Sequence, residues 1–404
     1  MRFLKFLARD KKSIISLSLL YISVIIFVAY MFSKVYIENI PIGIVDMDNS
    51  SLSRTIIDQL RKSPGVNISY YTDSQEELQQ EIKEKRISGG IVIPKNFNKD
   101  AVKKKSPSIA LLIDETNIVT GNNLYAYSNA VIATVNAGIQ LKVFEGKNMM
   151  PYNADKAITT FLYSERTLYE PQLSYMRYLM YSLVPYLLQG IFLMTFLVPA
   201  LIKNRKQLNL INLKSKDGIK NILLLLVRIL MIIAIAVFSS LVALCILGKY
   251  SNLPLRGNIL EYLALTSIFV VDLTAVGFLF AALFNNLIYF TQFFTMINIL
   301  IFLTSGVPFP EYAMPDGLPK IIRSIWPFMN IALPLKFLNL KGSGWDIILP
   351  YIKDGIVYAL EWFLIGIVLY SLRIAISKYK NKRISRKENE MSEENEKSVG
   401  AIAE

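Results

Sequence analysis

Three aspartates in the first half of the chain have the residue type and the position that a hard-metal site requires. Asp46 and Asp48 end a buried-strand pattern at Ile40–Asp48, and Asp114 ends another at Ser108–Asp114. Carboxylate oxygens are the ligands that Mg²⁺ and Ca²⁺ prefer. The Asp/Asn/Gly spacing of a calcium loop is absent, so we favour a structural role in which these carboxylates cap the helix and turns that follow.

A fourth aspartate, Asp272, lies in the middle of a long apolar segment. A charged side chain there costs about 2.5–3.5 kcal/mol on membrane-insertion scales, so we expect it to face protein or water. The functional interpretation is a polar point on a transport path. The structural alternatives are an ion pair with Arg228 on the neighbouring span, or a protonated carboxyl hydrogen-bonded to Thr274 or another neighbour.

The composition excludes most enzyme templates. The 404 residues include no His and one Cys, Cys245, which removes imidazole bases, disulfide frameworks and thiolate metal clusters. No G-x-x-x-x-G-K-[ST] string occurs, so we expect no nucleotide site in this chain and no catalytic, cofactor or metal site. An intramembrane enzyme would need clustered His, Asp or Ser inside spans, and the spans contain only Asp272 as a candidate.

The elements that must position these residues are membrane spans. Hydrophobic residues make up 53% of the chain and charged residues 19%, against roughly 25% charged in soluble proteins. Ser13–Ser33 carries no charge and can cross a core of about 30 Å; it is too long for a cleaved signal peptide. Five further spans are predicted near Tyr178–Ile202, Ile229–Gly248, Ile259–Leu283, Ile288–Ser305 and Gly355–Leu372.

The distribution of Lys and Arg along the chain predicts its orientation in the membrane. They cluster in residues 1–12, 203–220 and 373–387, which lie on one face of a six-span protein, and the positive-inside rule makes that face cytoplasmic. We therefore expect a bacterial cytoplasmic membrane protein with both termini inside. The net charge of +13 is then explained by the basic residues that set membrane orientation, and a nucleic-acid partner is not expected.

The predicted fold class is a polytopic α-helical membrane protein of six spans, with a mixed α/β extracytoplasmic domain inserted between spans one and two. The predicted divisions are a cytoplasmic interfacial helix at 1–12, a first span at 13–34, the α/β domain at 38–175, a five-span domain at 178–376 with a re-entrant segment at 305–327, and a disordered cytoplasmic tail at 377–404.

Strand and helix patterns alternate inside the α/β domain. After the first strand pattern come a helix at Ser50–Lys62, a strand at Val66–Tyr71, a helix at Ser74–Arg86 with Ser74 as its N-cap, and a strand at Gly90–Ile93. A βαβαβ order predicts a small, mostly parallel sheet. A further strand ending at Asp114 and a helix from about Asn117 to Phe144 follow.

The segment at 305–327 cannot be one spanning helix, because it carries five prolines, at 308, 310, 315, 319 and 327.

Several strings resemble the ABC type-2 exporter permease family, in the branch with a large domain between the first two spans. They are D-x-D-x-S-x-x-S-R at 46–54, G-x-I-x-I-P-x-x-F at 89–97, D-x-T-N at 114–117, Tyr169-Glu170-Pro171, and Ser305-Gly306 with Pro308, Pro310, Met314-Pro315 and Trp326-Pro327. The chain differs from relatives after the second span, where residues 203–207 (KNRKQ) replace an R-E string.

The resemblance implies two permease subunits, as a homodimer or with a related chain, and two cytoplasmic ATP-binding-cassette ATPase subunits that hold ATP and Mg²⁺. It implies export of a hydrophobic, amphipathic or lipid-like substrate, with membrane lipids and a periplasmic adaptor as further partners. It also suggests ATPase coupling at the loop after span two and at the N-terminal helix, with the candidates Arg205, Lys206, Leu208, Leu210, Phe3 and Phe6. The broken segment at 305–327 would form an outer gate; the alternative is a surface loop. The candidate gate residues are Gly306, Pro308, Pro310, Met314 and Pro315.

A second hypothesis comes from a different functional class. The chain would be a membrane-anchored surface receptor or secretion-apparatus component, whose outer domain binds a partner while the spans only hold it. Co-purification of a Walker-motif ATPase distinguishes the two hypotheses, because only a permease needs one.

Overall fold

A computed structural model describes residues 2–31, 37–103, 105, 107–145, 169, 174–208 and 216–400. The chain forms two compact units: one contains residues Met1–Ser33 and Met176–Glu404, and the other contains Lys34–Tyr175. We call the first the membrane unit and the second the α/β unit.

The secondary structure follows this order along the described residues. The strands are β1 (Ile40–Asp46), β2 (Val66–Thr72), β3 (Gly89–Ile93) and β4 (Ala110–Ile113). The helices are α1 (Arg2–Met31), α2 (Ser51–Lys62), α3 (Gln75–Lys83), α4 (Phe97–Val102), α5 (Ile118–Glu145), α6 (175–208), α7 (Lys216–Tyr250), α8 (Ile259–Leu283), α9 (Leu287–Leu303), α10 (Leu318–Ile325), α11 (Met329–Lys341) and α12 (Trp345–Gly400).

The α/β unit contains a four-stranded mixed sheet in the order β2-β1-β3-β4. β1 pairs in parallel with both β2 and β3, and β4 runs antiparallel to β3. The mixed α/β fold predicted for this region is therefore confirmed, whereas its place outside the cytoplasm stays a prediction.

Local sequence signals explain where the helices of this unit begin. The Ser50 side chain accepts a hydrogen bond from the Ser53 amide and the Ser53 side chain accepts from the Ser50 amide, which is a reciprocal capping box. Ser74 caps α3 in the same manner by accepting from the Glu77 amide. Both starts agree with the sequence prediction, because caps depend only on residues within one turn.

The sheet buries two apolar layers. One face packs Ile42, Ile44, Ile91 and Ile93 with residues of α2 and α5. On the other face, Leu78 of α3 lies directly on the backbone, since a Cβ at Gly43 would sit 2.4 Å from the Leu78 Cδ1 atom. The glycine in β1 is thus what lets α3 approach the sheet.

The membrane unit contains four described helices that are long and apolar enough to cross a membrane. They are Tyr175–Lys206, Ile219–Tyr250, Ile259–Leu283 and Trp345–Tyr379, and Ser18–Met31 and Leu287–Leu303 are shorter apolar helices. The chain is thus a multi-pass membrane protein. Six spans remain a prediction, which requires both shorter helices to cross as well.

Two boundaries differ from the predicted divisions. α1 is continuous over Arg2–Met31, so no break separates the predicted interfacial helix from the first span. α12 continues to Gly400, so the segment predicted as a disordered tail is helical over 377–400. Residues 377–399 contain neither Gly nor Pro, and the Lys, Glu and Arg that dominate them are good helix formers.

α10 and α11 form a broken pair with a bend of 105° between them. The break falls at Trp326–Phe328, where Pro327 prevents a continuous helix. The non-spanning segment predicted at 305–327 is therefore only the first part of this pair, because the second helix extends it to residue 341.

Candidate functional site

The carboxylates of the first D-x-D string have structural partners. Asp46 accepts hydrogen bonds at Oδ1 from the Asp48 and Asn49 amides, at 3.1 and 2.9 Å, and at Oδ2 from the Ser53 hydroxyl at 2.7 Å. Asp48 accepts from the Asn98 amide at 3.0 Å, next to the start of α4. These bonds fix the turn between β1 and α2, as the structural interpretation predicts.

Asp114 has the same kind of role at the start of α5. Its Oδ1 atom accepts from the Thr116 amide at 2.9 Å, and hydrogen bonding from Thr116 lowers the pKa of Asp114. Asn117 then accepts from the Val119 and Thr120 amides. The D-x-T-N string is thus a turn followed by a helix cap, and no group of three metal-ligating side chains occurs among the described residues.

Asp272 has neither of the partners that the sequence suggested. It is 2% exposed, no ion pair joins it to Arg228 in the described part of the chain, and its Oδ1 atom has no hydrogen-bond partner there. Thr274 instead donates to the Val270 carbonyl at 2.8 Å. Threonine in an apolar helix commonly bonds back to its own helix in this way, which explains why it does not reach the carboxyl.

Arg205, a predicted coupling residue, is buried against the end of a neighbouring helix. Its side chain is 3% exposed and donates to the Ala281 and Ala282 carbonyls, to the Phe284 carbonyl at 3.1 Å and to the Asn285 side chain at 2.8 Å. The last carbonyls of a helix lack partners within it and carry partial negative charge, so a guanidinium is a fitting cap. Arg205 therefore joins α6 to the end of α8, and its role in ATPase coupling stays a prediction.

The other coupling candidates remain predictions. Lys206 is exposed at the end of α6. Leu208 is the last residue of that helix, and Phe3 and Phe6 belong to α1, but their side chains lie outside the described part of the protein. Leu210 lies outside the described residues altogether.

A buried amide network in the membrane unit was missed by the sequence analysis. Gln189 of α6, which is fully buried, donates through Nε2 to the Asn298 side chain of α9 at 2.8 Å. Its Oε1 atom accepts from the Trp326 indole at 3.0 Å. Gln and Asn inside apolar segments were the available signal, because polar side chains there usually join helices.

Further hydrogen bonds contact the broken pair next to its bend and the segment that precedes it. Tyr178 of α6 donates to the Val307 carbonyl, ahead of the pair. Tyr358 and Trp362 of α12 donate to the Ile325 and Ser324 carbonyls, at 2.8 and 3.0 Å. Those carbonyls are at the C-terminal end of α10, so α12 supplies donors that a helix end otherwise lacks.

The predicted gate residues form the tight connection from α9 to α10. Gly306 has φ +81°, in the left-handed region that favours glycine. Glu311 forms an ion pair with Arg323 of α10, with 2.6 and 2.7 Å from Nη2 to the two carboxylate oxygens. Pro308 and Pro315 are exposed, and Pro310 and Met314 are half-buried. These residues lie in the connection between α9 and α10, while their gating role stays a prediction.

Comparison with known protein families matches residues 11–368 to the family described as ABC-2 family transporter protein. The match includes most of both units and reaches into α12. No curated protein matches the chain. Because the family covers most of the sequence, the chain belongs to the ABC-2 transporter family and is the membrane subunit of an ABC transporter.

Proposed function

We propose that the chain is the permease subunit of an ABC exporter that moves a hydrophobic, amphipathic or lipid-like substrate out of the cytoplasm or the membrane. A separate ATPase subunit would bind ATP and Mg²⁺ and hydrolyse the ATP. The observation that carries the proposal is the broken pair tethered to two long apolar helices, in a chain that belongs to a transporter family.

α6 would connect the ATPase side of the protein to the broken pair. Arg205 near its C-terminus holds the end of α8, and Gln189 in its first half holds Trp326 of the broken pair. Between them lies a π-helical turn at Phe192–Leu197, and such turns are frequent at functional sites. A push from the ATPase on the loop after residue 208 would move α6 and, through Gln189, the broken pair.

The broken pair suits an outer gate for a physical reason. A helix interrupted by Pro327 cannot slide as one rod, so movement is concentrated at the bend and at the turn that contains Gly306. The predicted orientation places this end outside, because the Lys- and Arg-rich loop after α6 lies at the opposite end.

Partners follow from the same proposal. Two copies of the chain, or this chain with a related one, would enclose the path between them, and membrane lipids would cover the remaining apolar surface. The α/β unit would lie outside the cytoplasm, where it can contact a periplasmic adaptor.

Reconstitution tests the proposal. The chain is co-expressed with its ABC ATPase, the complex is placed in proteoliposomes, and ATP-dependent movement of a fluorescent phospholipid and of an amphipathic dye is measured. We expect movement of at least one probe, and none when the Walker lysine of the ATPase is replaced by Ala. If no ATPase co-purifies with the chain, the receptor or anchor hypothesis gains support and the exporter proposal fails.

A further inference from the structure

The packing between α8 and α12 is unusually close at two glycines of α12. A Cβ atom at Gly355 would lie 2.8 Å from Ile268 Cγ1, and one at Gly366 would lie 2.9 Å from the Ala275 carbonyl oxygen. Both distances are shorter than ordinary van der Waals contact. We call this interface the α8–α12 seam; it has no space for a side chain at either glycine.

Asp272 lies inside this seam. Its Oδ2 atom would be 3.3 Å from a Cβ at Gly355, and its Oδ1 atom has no hydrogen-bond partner among the described residues. The side chain is 2% exposed. The carboxyl is thus held between two helices with no donor on one of its oxygens.

The described part of the chain around Asp272 supplies no compensating charge. α12 contributes the Tyr358 hydroxyl, the titratable group that interacts electrostatically with Asp272 in the described part of the chain. The other elements packed on α8 are α6, α7 and α11, and their described residues contribute no charged or titratable group with such an interaction. Among the described residues, no cation therefore balances a negative charge at this position.

An isolated buried carboxylate is so costly that the group takes up a proton instead. The seam is too close around Gly355 to admit a metal ion with its ligands, and Asp272 offers a single carboxyl. We propose that Asp272 is a proton-binding site: its side chain is a carboxylic acid while the α8–α12 seam is closed, and loss of the proton loosens the seam.

The same site has a route to the broken pair. Tyr358, which interacts with Asp272, donates its hydroxyl proton to the Ile325 carbonyl at the end of α10. A negative charge on Asp272 would disfavour the closed seam and displace Tyr358 from that carbonyl. Proton occupancy at Asp272 would thus bias the position of α10, independently of which substrate the transporter carries.

Infrared difference spectroscopy on the full chain in lipid nanodiscs tests the site. We expect the C=O stretch of a protonated carboxylic acid at neutral pH in the wild type, and loss of that band in Asp272→Asn. The matched control is Asp354→Asn, an exposed aspartate next to Gly355 on the same helix, which should keep the band.

Thermal unfolding of the same proteins gives a second readout. The wild-type midpoint should fall as pH rises from about 4, the ordinary pKa of an aspartate, to neutral, because the folded seam holds a proton on Asp272 that the unfolded chain releases. Asp272→Asn, which mimics the protonated form, should show a smaller fall, and Asp354→Asn should follow the wild type.

Three results would overturn the proposal. One is no band difference between wild type and Asp272→Asn at neutral pH. Another is a band that disappears when Na⁺ or K⁺ is added at constant pH, which would indicate a cation site. If Asp272→Asn does not fold, wild type carrying ¹³C at its aspartate carboxyls replaces it, and absence of an isotope-shifted acid band at neutral pH decides against the proposal.

Discussion

At the scale of single residues, a basic side chain next to a basic loop can either cap a neighbouring helix or stay exposed to a partner, and the sequence alone does not distinguish the two roles. Arg205 and Lys206 are neighbours in the sequence, yet the first is buried against the end of α8 and the second is exposed. The helix end that accepts the Arg205 guanidinium is about 80 residues away in sequence, so no local pattern could indicate it. Of these two neighbours, Lys206 is the one whose side chain is exposed for contact with an ATPase.

The contrast between Arg205 and Lys206 gives a prediction about stability. Arg205→Ala should lower the free energy of unfolding of the full chain by about 3 kcal/mol, because charged hydrogen bonds are lost and buried carbonyls are left without donors. Lys206→Ala should change it by less than about 0.5 kcal/mol. Denaturant unfolding in detergent, followed by tryptophan fluorescence, measures both.

Arg205→Lys is the matched variant for this prediction. It retains the charge but replaces a planar fork by one ammonium group, so it should recover only part of the loss. Equal stabilities of Arg205→Ala and Lys206→Ala would show that the cap contributes nothing.

Glu77 gives a prediction about acid sensitivity in the α/β unit. The Thr72 and Tyr70 hydroxyls donate to its carboxylate, which lowers the pKa of Glu77 and raises that of Tyr70 to about 12. A lowered folded-state pKa means that the stabilisation is complete above the ordinary value of about 4.3 and is lost as pH falls below it.

The expected result is faster opening of α3 in the wild type below about pH 4.3. Hydrogen exchange of the full chain, corrected for the intrinsic pH dependence of exchange, measures it by mass spectrometry. Glu77→Gln should show little acid-induced change in α3, and Tyr70→Phe, which removes one donor, should be intermediate. Identical acid responses in wild type and Glu77→Gln would exclude Glu77 as the cause.

At the scale of elements, the broken pair is positioned by hydrogen bonds from its neighbours and not by its own sequence. Prolines in the sequence predicted that the segment cannot be one helix, and the 105° bend agrees. The described hydrogen bonds next to the bend come from Gln189, Tyr358 and Trp362, which belong to other helices. The sequence therefore indicated the break but not what holds it.

Two tryptophans allow a comparison of those contacts. Trp326→Phe keeps an aromatic ring at this position but removes the indole N–H that donates to the fully buried Gln189. Because a buried acceptor then loses its partner, the substitution should destabilise the protein by about 1–3 kcal/mol. Trp362→Phe removes a donor to the Ser324 carbonyl at a more exposed position and should cost less.

Transport should separate the two tryptophan variants further. If Gln189 transmits movement of α6 to the broken pair, Trp326→Phe should reduce probe movement in proteoliposomes per ATP hydrolysed, whereas Trp362→Phe should leave this ratio near that of the wild type. An unchanged ratio in Trp326→Phe, in a complex that assembles normally, would remove Gln189 from the coupling route.

At the scale of the whole molecule, local features of the sequence were predictable and contacts between distant segments were not. The alternation of strands and helices, and the cap at Ser74, depend on neighbouring residues and agree with the structure. The environments of Asp272 and Arg205 depend on which helices pack together, which periodicity does not reveal. The helical continuation of α12 was not predicted, because a highly charged, polar composition is shared by disordered tails and exposed helices.

Membrane orientation is the property of the whole molecule that most needs a direct test. The segregation of Lys and Arg predicts that residue 99 lies outside and residue 206 inside, and the structure shows both lysines exposed on their own units. Lys99→Cys and Lys206→Cys are made separately in a Cys245→Ser background, because Cys245 is an exposed free thiol.

Intact cells are then treated with a membrane-impermeant maleimide. Position 99 should react at once and position 206 only after permeabilisation, since an odd number of spans must separate them if the α/β unit is outside. If both positions react only after permeabilisation, the α/β unit lies in the cytoplasm, on the side on which the ATPase binds, and cannot contact an adaptor outside. If both react in intact cells, residue 206 lies outside and the predicted orientation is wrong.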